Sequence, residues 1–223
     1  MVPAWINGPR EDLQAVLSGQ QKGSDNPSPS KDTRFVTHQL VEPHRDAGVN
    51  HVKHQGISNA QNSRVKIVFV PSYLNGDDGI FNLPYYDLLI GFDLTVFPSY
   101  YEPWGYTPHE SVAFSIPTIT TTLAGFGTWA AKQGKKKENL EQGVEVIHRD
   151  DNNYTQVAEE IASVIYDFSI MSGQQVTLLK RAAAELSDKA DWAHFITHYQ
   201  EAYRKALHNS FTRLSRPYTR KNQ

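Results

Sequence analysis

The rhythm of apolar and polar positions changes twice along this 223-residue chain. "VPAWI", residues 2 to 6, reads as a short buried strand, and "GPREDLQAVLSGQ" after it carries Leu13, Val16 and Leu17 at helical spacing. Residues 23 to 32, "GSDNPSPSKD", hold too little apolar surface for a core and read as a surface connection. A helix is expected over residues 44 to 55. "RVKIVFVP" then predicts a strand buried on both faces, because its apolar positions run without alternation. The pattern repeats with "LPYYDLLIGF" as helix, "DLTVFPS" as strand, "PHESVAF" as helix and "IPTITTT" as strand. The polar "KQGKKKENLEQG" precedes a last short strand, "VEVIHR". From Asp151 onward the spacing is helical only, in "YTQVAEEIASVIYDF", "GQQVTLLKRAAAELSDKA" and "DWAHFITHYQEAYRKAL". Residues 209 to 223, basic and without an acid, read as a frayed tail after a domain spanning 1 to 208.

Strands alternating with helices predict an α/β fold, a parallel sheet with right-handed crossovers flanked by helices. The net charge of -2 offers no basic field for nucleic acid. The absence of cysteine excludes disulfides and thiolate chemistry and fits a cytoplasmic setting. Apolar runs such as Val65 to Val70 are too short to span a bilayer, so no membrane segment is expected. "VPAWI" also lacks the charged start and long apolar core of a signal peptide. His44, His51 and His54 have no acidic partner at helical spacing and read as polar surface, so no metal is expected.

The candidate chemistry lies in "FPSYYEPWGYTPHESVAF", residues 97 to 114, between an expected strand and an expected helix. In a parallel α/β sheet, ligands bind beyond the carboxyl ends of the strands, near helix N-termini that attract anions. "TPHE" predicts a helix start with Thr107 as N-cap, Pro108 at the first helical position and Glu110 completing a capping box. The N–H groups after Gly105 and Tyr106 would then face a phosphate, with the Thr107 hydroxyl beside them. Glu102 precedes the helix and is not explained by capping. It reads either as a solvated loop acid or as a carboxylate for sugar hydroxyls and a cation-like anomeric carbon. Glu110 is accounted for by the cap alone.

"VFPSYYEPWGYTPHE" resembles the glycogen synthase family whose eukaryotic members use UDP-glucose, including the paired glutamates with seven residues between them. The resemblance extends to "RVKIVFVPSYLNGDDGIFNLPYYDLLIGFDL" before it, "SIPTITTTLAGFG" after it, and more weakly to "DWAHFITHYQEAYRKAL". "THQL" and "VPAWINGPREDLQ" are similar to bacterial members. It implies a retaining glycosyltransferase of the GT-B fold, whose carboxyl-terminal Rossmann-like domain holds the nucleotide sugar. In that family's pattern Glu102 contacts the donor glucose, Glu110 receives the ribose hydroxyls, and Trp104, Gly105, Tyr106 and Thr107 cradle the distal phosphate. Tyr85 aligns with a tyrosine that stacks on uracil, although burial against "DLLIGF" accounts for it equally. "LAGFG", residues 123 to 127, is a turn beside the sugar or merely a loop. The substrates implied are UDP-glucose, with ADP-glucose as the other donor, and an α-1,4-glucan acceptor, without a cofactor.

The resemblance also marks departures. The family's "GRYE" and "NKG" patterns, whose cations neutralise the diphosphate, do not occur, and "QKG" at residues 21 to 23 stands in another context. Losing two such charged hydrogen bonds weakens donor binding by about two to four orders of magnitude. The chain reads as a carboxyl-terminal GT-B region without its amino-terminal domain and first strand. An uncovered sheet edge predicts self-association, and the isolated chain is expected to be inactive. "HRDAGVNHVKHQGISN" has one arginine where eukaryotic members carry an arginine-rich helix, so control by glucose 6-phosphate is not expected. Two other readings stand beside this one. One is a non-catalytic nucleotide- or glucan-binding module. The other, a retaining glycosidase, needs two facing carboxyls about 5 to 5.5 Å apart.

Overall fold

The structure is a computed structural model and describes residues 35–38, 40–42, 44–57, 59, 63–133 and 140–214. The expected strand at 2 to 6, the helix after it, the connection at 23 to 32 and the "QKG" triplet lie outside the described residues. So do residues 215 to 223 of the expected tail. The chain divides into two compact units, within Met1–Gly91 and Phe92–Gln223.

In the first unit, helix α1 (Ala47–His54) falls inside the expected helix. Asp46 caps it by accepting from the Val49 N–H at 2.8 Å. Val49 packs with Phe35 and Val36 in a small core flanked by Val52, Ile67 and Phe69. "RVKIVFVP" departs from expectation. Only Phe69 forms a bridge, parallel to Val36, and Val65 is 63% exposed. A strand buried on both faces needs a neighbour along each edge, and among the described residues only the short 35–37 stretch pairs with it. Buried Asn59 instead holds the backbone of Ile67 through both ends of its amide, at 2.8 and 2.6 Å. Helix α2 (Tyr85–Leu89) is shorter than the expected segment.

The second unit holds a parallel sheet in the order β1 (Thr95–Val96), β2 (Thr118–Thr121), β3 (Val144–Ile147). Helix α3 (Tyr106–Ala113) joins the first two strands and α4 (Gly125–Ala130) begins the connection to the third. The α/β expectation is thus met. Central β2 is buried at all four positions. Ile119 packs with Ile147, Val157 and Val164, while Thr118 turns to the opposite face. There the Thr95 hydroxyl bonds Ser111 at 2.6 Å and Thr118 at 2.9 Å, tying β1, α3 and β2 together. The second cluster joins Val112, Phe126, Ala130, Val144, Ala183 and Leu186.

Three helices follow: α5 (Tyr154–Ser169), α6 (Gly173–Lys189) and α7 (Trp192–Leu214). The last continues through Leu214, beyond the boundary expected at 208. No residue of α7 is buried, and only Phe195 and Ile196 are half-buried. Among the described residues no helix is long and apolar enough to cross a membrane.

Candidate functional site

The loops leaving the carboxyl ends of β1, β2 and β3 meet on one surface, where a doubly wound sheet binds its ligands. The first carries "PSYYEPWG", the second "TLAG" and the third "HRDD". Main-chain bonds join the first two. The Glu102 N–H donates to Leu123 O at 3.0 Å, and the Gly125 N–H donates to Glu102 O at 3.1 Å. The Phe126 N–H donates to Trp104 O, and the Thr121 hydroxyl donates to Ser99 O at 2.6 Å. Glu102 and Ala124 consequently pair as in a parallel sheet. Gly125 makes this approach possible, since a β-carbon there would lie 2.2 Å from Pro103 O. "LAGFG" begins in a turn, closed by the Ala124 N–H on Thr121 O at 3.2 Å. Its last three residues open α4.

The start of α3 differs from the expected capping box. Gly105, not Thr107, is the N-cap, with φ 98° and ψ 76° in the left-handed region that favours glycine. Thr107 sits in the second helical position and Pro108 in the third. Glu110 is too far along to reach back, so the capping box does not account for it. The chain folds this way because glycine enters the helix from a direction closed to other residues, starting the helix early. No side chain caps α3. The Tyr106 and Thr107 N–H groups have no partner among the described residues and face solvent at exposed positions. Helix α6 is the contrast, because Ser172 and Gln175 form a complete capping box. With glycine as the N-cap, α3 forgoes about a few tenths of a kcal/mol relative to a side-chain cap.

Glu102 is half-buried and accepts from the Ser99 hydroxyl at 3.2 Å. A β-carbon on Gly105 would stand 3.5 Å from its Oε2 and 3.2 Å from Pro108 Cγ. Glycine thus leaves room between carboxylate and helix opening. Trp104 lies half-buried among aromatic rings, with Phe126, Trp129 and Phe195 at centroid distances of 5.9, 6.0 and 5.5 Å. Its indole donates to His109 Nδ1 at 3.2 Å.

The third loop adds a residue that the sequence reading did not single out. Arg149 donates from its guanidinium to Pro98 O, and its guanidinium carbon stands 5.2 Å from the Tyr100 ring centroid. The Tyr100 hydroxyl donates to Asp151, which raises its pKa above the usual phenol value, chiefly through that bond. The signal was the Arg-Asp-Asp triplet, separated from the end of β3 by His148 alone, a position that the carboxyl-end rule marks.

Six of the seven expected site residues, Glu102, Trp104, Gly105, Tyr106, Thr107 and Glu110, therefore stand on one loop and helix start in the second unit. Tyr85 belongs to the first unit, half-buried on α2 with its ring 5.4 Å from that of Tyr86. Among the described residues no group of three metal-ligating side chains occurs.

The family model described as glycogen synthase matches residues 29–222. The chain belongs to the glycogen synthase family. It is 31% identical over 176 residues to glycogen [starch] synthase isoform 1 of Saccharomyces cerevisiae. It is 34% identical over 173 residues to glycogen [starch] synthase of Caenorhabditis elegans. The liver glycogen [starch] synthase of Homo sapiens is 30% identical over 176 residues. These alignments cover 79, 78 and 79% of this chain but 25% of each relative. The chain thus spans about a quarter of the length of the relatives it matches.

Proposed function

We propose that this chain is the donor-binding part of a retaining glucosyltransferase of the glycogen synthase family. UDP-glucose is the donor and the non-reducing end of an α-1,4-glucan is the acceptor, in the cytoplasm. The observation that carries the reading is the uncapped start of α3 at Gly105, with the Glu102 carboxylate beside it. As the anomeric bond to phosphate breaks, negative charge gathers on the departing diphosphate and the sugar becomes cation-like. The Tyr106 and Thr107 N–H groups and the helix dipole suit the first charge, and the Glu102 carboxylate suits the second. Glu110 receives the ribose and Tyr85 the base. No cofactor enters this scheme. The amino-terminal GT-B domain of this family completes the acceptor cleft, so these residues serve the donor side of the transfer.

Calorimetric titration of the purified chain with UDP-glucose tests the proposal, beside Tyr85→Ala and Glu110→Ala variants whose folding is checked by circular dichroism. Saturable binding that weakens in both variants is expected, and competition with ADP-glucose ranks the two donors. A folded chain that binds neither nucleotide sugar would overturn the proposal. Retained binding in both variants would remove Tyr85 and Glu110 from it.

A further inference from the structure

His109 occupies the fourth position of α3, between the uncapped N–H groups and Glu110. Its ring lies 5.2 Å from Phe126 with planes 13° apart, so it is stacked on α4. Its Nδ1 is 3.2 Å from the Trp104 indole nitrogen. An indole N–H only donates, so Nδ1 must be the acceptor and the imidazole proton must sit on Nε2. Trp104 in turn belongs to the segment whose carbonyl holds Phe126 and whose neighbour is Gly105. His109 therefore touches both sides of the helix opening.

We infer that His109 is a positioning residue for this opening: in its neutral form it fixes the Trp104 indole, and through it the Glu102–Gly105 segment, clear of the helix N–H groups. The inference rests on the donor-binding reading and deepens it. Protonation would turn Nδ1 into a second donor facing the indole N–H. Burial, the larger cause, lowers the imidazole pKa, while Glu110 opposes it. The other titratable groups around the ring are few. Helix α4 contributes none, and the loop contributes Glu102, Tyr100 and Tyr101. On α6, packed against α3, Arg181, Glu185, Asp188 and Lys189 are exposed, and Lys180 bonds Asp93 at 3.3 Å. On α7, His194 is exposed.

The test uses the full chain labelled with 15N. The Trp104 indole resonance is identified by its loss in Trp104→Phe and followed between about pH 5 and about pH 8, the range in which histidine titrates. A single transition below the ordinary imidazole midpoint is expected. His109→Asn, whose carbonyl can accept, should keep the resonance near its place and remove the transition. His109→Phe keeps a stacking ring without an acceptor. It should move the resonance and weaken UDP-glucose binding by about five- to tenfold, the equivalent of one hydrogen bond. UDP-glucose is the probe because its diester phosphates do not titrate in this range. A Phe variant with native resonance and affinity would overturn the inference, as would affinity that rises on acidification, which would make the imidazolium a direct cation for phosphate. If the indole titrates as expected but UDP-glucose does not bind, the donor reading fails while the His109–Trp104 pairing stands.

Discussion

Trp104 and Phe195 meet edge to face, with ring centroids 5.5 Å apart and planes 87° apart. Phe195 also meets Trp129 at 5.8 Å. Since α7 has no buried residue and only Phe195 and Ile196 half-buried, Phe195 is a main anchor of this helix through its contacts with Trp104 and Trp129. Trp192, Tyr199, Tyr203, Leu207, Phe211 and Leu214 remain exposed along it.

Phe195→Ala should therefore loosen α7 more than it destabilises the sheet. An edge-to-face pair is worth about 0.5–1.5 kcal/mol beyond its buried area, so the opening equilibrium of α7 should rise by about two- to tenfold. Hydrogen exchange of α7 amides against those of β2 measures this. Equal acceleration in both would show that the contact supports the whole unit.

Gly125→Ala should be costly although it adds one methyl group. Its β-carbon would meet Pro103 O at 2.2 Å, and the opposing atom is backbone that cannot swing away. Overpacking of this kind costs about 1–3 kcal/mol. Urea unfolding should register the loss, and UDP-glucose affinity should fall as the Glu102 segment lifts from Leu123. An unchanged midpoint would mean that the two loops separate more freely than their hydrogen bonds indicate.

Arg149→Ala removes a bond to Pro98 O and a cation over Tyr100. Each is worth roughly 1 kcal/mol at a partly exposed position, so stability should fall by about 1–2 kcal/mol. Arg149→Lys should recover less than half of it, because an ammonium cannot lie flat on the ring while donating sideways. Thermal unfolding of the three proteins decides the order.

Tyr100 gives a pH signature at the alkaline end. Its pKa is raised by the hydrogen bond to Asp151 first, and by that carboxylate's charge next, while Arg149 opposes. A group whose folded pKa exceeds its unfolded value contributes stability fully present below the unfolded pKa and lost as pH rises through the folded one. Ultraviolet titration should resolve one phenol above the ordinary midpoint of about 10. Asp151→Asn should bring it back. A Tyr100→Phe protein that keeps the late-titrating phenol would assign the signal elsewhere.

Periodicity carried the sheet of the second unit well because β2 and β3 are short, buried and β-branched, as in "TITT" and "VEVI". It carried "RVKIVFVP" badly, since a run of apolar residues reports burial without reporting how many partners the strand has. At the site, residue types marked the loop, but the helix start was displaced. "TPHE" satisfies every local preference for a capping box, and a left-handed glycine two residues before Thr107 overrides it. Arg149 escaped because its contacts with Pro98 and Tyr100 cross about fifty residues of sequence. His109 escaped because nothing local shows that Trp104 folds back onto it.

One consequence follows from how Glu102 is held. Its N–H and carbonyl carry the pairing with the neighbouring loop, and these groups belong equally to any residue other than proline. Replacement by glutamine would leave that ribbon intact and remove the negative charge. The carboxylate accepts from the Ser99 hydroxyl at 3.2 Å, a bond that a glutamine amide oxygen could also accept, so stability gives the negative charge little protection against mutational drift. A descendant could lose the charge while keeping its shape, and under the proposed function only selection on the reaction would tell the two histories apart.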